Sequence, residues 1–65
     1  MGFFEMMNSY TIYLGSAPIT RVMGTDYAYT VYFKTKELAE LLNKECYLVR
    51  DDTGETIAGF DPDEE

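Results

Sequence analysis

Tyr27-Ala28-Tyr29-Thr30-Val31-Tyr32-Phe33 is almost wholly β-branched and aromatic, and Tyr27, Tyr29, Val31 and Phe33 alternate along it with the period of two that marks a strand. Immediately afterwards the period changes. Thr35 suits an N-cap, Glu37 stands where a helix dipole favours an acid, and Leu38, Leu41 and Leu42 recur at i, i+3 and i+4. Glu40 and Lys44 have the favourable i,i+4 order. The stretch is expected to form a strand and then a short helix over about residues 36–44, held by packing its leucines on a sheet because so short a helix is unstable alone.

On the N-terminal side, Ser9–Leu14 alternates so that Tyr10, Ile12 and Leu14 share a face, again the pattern of a strand. Gly15-Ser16-Ala17-Pro18 breaks it, and a weaker second strand over Ile19–Met23 runs into the turn-rich Gly24-Thr25-Asp26. On the C-terminal side, Cys46–Arg50 and Glu55–Gly59 flank Asp51-Asp52-Thr53-Gly54, a hairpin loop in which Gly54 takes the left-handed conformation. With Arg50 opposite Glu55, Leu48 falls across from Ile57. The fold class is α+β: an antiparallel sheet of four to five strands with one short helix packed across one face, in the order β-(β)-β-α-β-β. Residues 9–60 form the single domain, residues 1–8 an N-terminal leader and residues 61–65 an acidic tail. Three methionines among the first seven residues raise a translation start at Met6 or Met7.

In that arrangement the helix leucines cover Ile12, Leu14, Val31, Phe33, Leu48 and Ile57, while Tyr13, Tyr32, Tyr47, Val49 and Phe60 point the other way. Two outcomes are open. Either the sheet curls to shelter these residues as half-buried tyrosines usually are, or they form an aromatic patch that marks an interface.

The chain has 65 residues, one cysteine and no histidine. A domain of this size buries only roughly 60% of the surface of its unfolded chain. An intramolecular disulfide is excluded, and a zinc site lacks ligands. Cys46 sits in the apolar run Cys46-Tyr47-Leu48-Val49, with nothing beside it to lower its pKa, and reads as a buried structural thiol in a reducing compartment. No stretch approaches a membrane span, and the N-terminus carries neither a secretory signal nor a myristoylation pattern. The expected location is the cytoplasm, with no membrane partner.

The net charge of −7 is unevenly placed. Through Arg50, the acids Glu5, Asp26, Glu37, Glu40 and Glu45 are balanced by Arg21, Lys34, Lys36, Lys44 and Arg50. Beyond it stand only Asp51, Asp52, Glu55, Asp61, Asp63, Glu64 and Glu65. Direct nucleic-acid binding is disfavoured, because it needs bases to displace phosphate counterions and a positive groove beside any stacking platform. An acidic end suits a basic protein surface instead.

No catalytic, cofactor-binding or metal-binding residue is assigned. Asp52-Thr53-Gly54 spells the aspartic-protease triplet but follows Arg50-Asp51 at a hairpin tip, where the paired, dry carboxylates of that chemistry have no place. The acidic clusters lack the spacing of a calcium loop. There is no phosphate-binding glycine loop and no histidine for acid-base work near neutral pH.

The chain is therefore expected to be a non-enzymatic, acidic protein-binding module without cofactors. In size, acidity and lack of catalytic apparatus it resembles, as a class, small phage or mobile-element inhibitors that occupy a basic nucleic-acid-binding surface of a host protein, among them DNA mimics and anti-CRISPR proteins. The alternative is a structural or assembly protein that forms a homodimer or joins a larger complex through its aromatic sheet face. Candidate partner-binding residues are Asp51, Asp52 and Glu55 at the hairpin tip and Tyr13, Tyr32, Tyr47 and Phe60 on the aromatic face.

Overall fold

The computed structural model describes residues 8–63; the proposed leader, save Asn8, and the last two acids of the tail lie outside them. The elements run β1 (Ser9–Leu14), β2 (Ala17–Met23), α1 (Thr25–Leu42), β3 (Cys46–Arg50) and β4 (Thr56–Phe60). The four strands form one antiparallel sheet in the order β2-β1-β3-β4. The fold is thus α+β, with one helix inserted between two hairpins.

The expected strand over 27–33 is instead the first half of α1, which spans 18 residues, roughly 27 Å. Tertiary burial overrides the local β preference here. Ala28, Tyr32, Thr35 and Ala39 are the buried helix residues, spaced i, i+4, i+7 and i+11, so they form one inward stripe. Two small residues on that stripe, Ala28 and Ala39, have no exposed surface and let the helix backbone approach the sheet closely. Thr30 and Thr35 donate their hydroxyls to the carbonyls of Asp26 and Val31 four residues back, which accommodates both inside a helix.

The leucines do the opposite of what their spacing implied. Leu38, Leu41 and Leu42 are 45%, 84% and 49% exposed. Extending the helix backwards through Tyr27–Phe33 rotates the seat of packing onto the alanine stripe and leaves the leucines outside it. The helix also ends earlier than expected. Asn43 adopts a left-handed conformation at φ 58°, with its N–H donated to the Glu40 carbonyl and that of Lys44 to the Ala39 carbonyl, a Schellman termination. Lys44 therefore lies beyond the helix, and Glu40 pairs with Lys36 (3.7 Å) rather than Lys44.

Beneath the helix, Tyr10, Ile12, Val22, Cys46 and Leu48 complete the core. Ile12 faces Leu48 across the central β1–β3 pair, and both are fully buried. In the C-terminal hairpin the Arg50 N–H bonds the Glu55 carbonyl, as the sequence implied, and the Gly54 N–H bonds the Arg50 carbonyl with Gly54 at φ 75°. A bulge between Leu48 and Val49 then shifts the register, so Leu48 opposes Ala58 instead of Ile57 and Cys46 opposes Phe60.

These placements give a direct check by urea denaturation. Leu48→Ala is expected to cost about 2–5 kcal/mol and Ala39→Leu about 1–3 kcal/mol through overpacking, whereas Leu41→Ala should stay within about 0.5 kcal/mol of the parent.

Candidate functional site

Among the described residues, α1 is the one helix, packed on one face of the sheet, and no other described element is layered on the opposite face. Cross-strand pairing puts Tyr13 opposite Tyr47 and Thr11 opposite Val49, and directly opposed residues share a face. Tyr13, Tyr47 and Val49, all half-buried, form the floor of an open groove of about 340 Å³. Gly15, Ser16 and Glu45 line it as well, and Thr56 closes the β4 side.

Tyr47 is held in place by its neighbour. It pairs with Gly59, and a Cβ added at Gly59 would stand 3.0 Å from Tyr47 Cδ1, so the ring occupies the space that a larger residue would fill. A cross-strand aromatic shielding a glycine is a recognised means of steadying a strand. The Tyr47 hydroxyl reaches the Glu45 carboxylate at 3.5 Å, and Glu45 is the charged member of the groove lining.

Asp51 stands at the far end of the same face, engaged on several sides. Its carboxylate accepts hydrogen bonds from Thr11 Oγ1 (2.6 Å), Ser9 Oγ (2.8 Å) and Arg21 Nε (3.0 Å), while its N–H bonds the Ser9 carbonyl. The Thr11 bond chiefly, then those of Ser9 and Arg21 with the charge of Arg21, holds its pKa below the ordinary aspartate value despite opposing desolvation. Asp51 thus ties β2, β1 and the end of β3 together.

The remaining acids at the tip are more open. Asp52 Oδ1 lies 3.1 Å from Arg50 Nε, without hydrogen-bond alignment for that nitrogen. Glu55 is exposed, and its N–H bonds Thr53 Oγ1. Asp52-Thr53-Gly54 is therefore part of a hairpin turn.

The expected aromatic face is only partly assembled. Tyr13 and Tyr47 come together on the open face, but Tyr32 is in the helix and 3% exposed, unavailable to a partner in this fold. Burial, with a smaller contribution from Cys46, raises its phenol pKa. The register shift brings Phe60 onto the helix side of the sheet, opposite buried Cys46, where Lys36 Nζ sits 5.6 Å from its ring centre, within cation–π range. Cys46 is a buried free thiol whose pKa burial raises against the lowering effect of Lys36.

A second, more polar pocket of about 350 Å³ lies on the helix side between Tyr10, Thr25, Tyr29, Arg50 and Ile57, spanned by a 2.8 Å hydrogen bond between the Tyr10 and Thr25 hydroxyls. Sequence patterning did not indicate it, because it depends on α1 starting at Thr25. Among the described residues no cluster of His, Cys, Asp and Glu is grouped to hold a metal ion, and no helix is long and apolar enough to cross a membrane. Comparison of the chain with protein-family models, curated proteins and solved structures finds no match.

Because the Asp51 pKa is depressed in the folded state, its stabilising contribution is fully present above the ordinary aspartate value of 3.8 and is lost as pH falls through the folded value. Asp51→Ala is expected to cost about 1–3 kcal/mol at neutral pH. The gap between parent and variant should stay constant down to about pH 4.5 and close at lower pH, as read from urea unfolding along a pH series.

Proposed function

We propose that this chain is a non-enzymatic protein-binding module whose open sheet face receives an apolar side chain of a partner, flanked by a Lys or Arg that meets Glu45. The observation that carries this reading is the Tyr13–Tyr47 pair in a groove that the described residues leave open, with the Tyr47 ring set in advance by Gly59. Rigid tyrosines give large contact area at low entropic cost, and a side chain ordered before binding loses less on association. The net charge of −7 favours encounter with a basic surface. Where that surface is one that binds nucleic acid, occupying it would inhibit or regulate the partner, and the module would act in the cytoplasm.

The division of the acids refines how charge would be used. Asp51 is committed to the fold by three side-chain hydrogen bonds, so Asp52 and Glu55 are the hairpin-tip carboxylates left to face a partner. Asp61 and Asp63 follow β4, with the Asp63 N–H bonded to Asp61 Oδ1, and would add long-range attraction.

Capture from the native host's lysate with parent, Tyr47→Ala and Gly59→Ala proteins tests the reading. A basic protein held by the parent should bind Tyr47→Ala at least about tenfold more weakly. Gly59→Ala should weaken binding too, although it leaves the tyrosine present, because it displaces the ring. Equal retention of that protein by all three would refute the assignment of the groove.

A further inference from the structure

We propose that the chain forms a two-fold homodimer by pairing β2 with β2 of a second copy, with the apolar flank of α1 lining the seam. This goes beyond the partner-binding role and uses a different surface, with the groove around Tyr47 outside the seam.

β2 is an outer strand of the sheet. The Gly24 N–H bonds the Asn8 carbonyl and the Asp51 N–H bonds the Ser9 carbonyl, so alternate residues of β1 point to β2 and to β3. Val22 and Thr20, the register partners of Tyr10 and Ile12, spend their main-chain groups on β1. Those of Arg21 and Met23 are directed away from the sheet. Outer strands are commonly guarded by proline or a bulge, and β2 has both, at Pro18 and in the register shift beside it. That guard covers only the beginning of the strand.

The helix offers apolar surface on the same side. Tyr29 borders Ile57 and Lys36 reaches Phe60, which identifies the flank of α1 turned toward β4. Tyr27, Val31, Leu38 and Leu42 lie roughly half a turn away around the helix, on the flank toward β2. Tyr27, Leu38 and Leu42 are exposed, and Tyr27 begins this stripe just beyond the end of β2.

Charge selects a second copy at this edge rather than at the other. From Gly15 to Thr25 the sequence contains no acid, and its one base, Arg21, is paired with Asp51. β4 is bracketed by Glu55 and by Asp61 and Asp63, so joining two β4 edges would set acids against acids. Joining two β2 edges makes an eight-stranded sheet with the acidic edges roughly 33 Å apart, well beyond the Debye length of about 8 Å at physiological salt. A two-fold axis at Val22 pairs Arg21 with Met23 of the second copy and avoids opposing the two arginines, which would repel.

Sedimentation equilibrium tests the proposal. The parent should dimerise, and more tightly as salt rises from about 50 to about 500 mM, because screening relieves repulsion between two acidic copies. Met23→Pro removes an outward N–H where an edge strand tolerates proline, and should raise the dissociation constant at least about tenfold while the far-ultraviolet circular dichroism spectrum is unchanged. Leu38→Glu with Leu42→Glu should weaken the dimer independently of any change at the strand. A parent that stays monomeric at about 1 mM overturns the proposal. So does a dimer insensitive to both variants but dissolved by Val49→Glu, which would place the contact on the open sheet face.

Discussion

Ala28 and Ala39 set how far the helix backbone stands from the sheet. Both are fully buried, with Tyr32 and Thr35 between them on the same stripe, and no larger side chain at those positions could keep α1 so near β1 and β3. In a chain of 65 residues this contact does most of the work of making a core, because close approach brings more atoms into dispersion contact than the side chains alone would supply. Ile12, Leu48 and Cys46 fill the space that remains beneath the helix. The same choice determines what is left over: a helix seated on its alanines turns its leucines outward, and the described residues put no second layer on the other face of the sheet.

β1, β3 and β4 were legible in the sequence because each is short, rich in strand-forming residues and bounded by turn residues. β2 read only as a weaker strand over Ile19–Met23 and in fact begins at Ala17, inside the stretch read as a break. Tyr10, Ile12 and Leu14 fall on the helix side as their alternation required, and Gly54 takes the left-handed turn expected of it. The first half of the helix was not legible. Tyr27, Val31, Tyr32 and Phe33 favour strands as isolated residues, and only long-range burial decides against that preference. A stripe of Ala, Tyr, Thr and Ala is also a weak hydrophobic signal beside three leucines, so periodicity pointed to the wrong face. Asn43 did carry a readable sign of the helix end.

Misplacing the helix propagated into the site. With Tyr27–Phe33 as a strand, Tyr32 would have joined an aromatic sheet face, whereas on α1 it is a core residue. Phe60 changed sides for a separate reason, the bulge in β4, and a one-residue shift of register exchanges the two faces of a strand. Bulges leave little trace in a single sequence. Tyr13 and Tyr47 were placed together correctly because both belong to strands whose alternation was clear, but the role of Gly59 in positioning Tyr47 depends on a cross-strand contact that only the folded register supplies.

Asp51 binds hydroxyls on Ser9 and Thr11, 42 and 40 positions away in the chain, and the strands it joins are separated by the whole of α1. The central pair of the sheet is therefore the most distant pairing in sequence. Each terminal hairpin and the helix can begin to form locally, but the core exists only once the loop containing α1 has closed, and closure entropy is spent before Ile12 meets Leu48. During synthesis, the segment up to Leu42 emerges before Cys46 and Leu48, the β3 members of the core, are there to pack beside Ile12. Its native state is reached only after the C-terminal hairpin has left the ribosome.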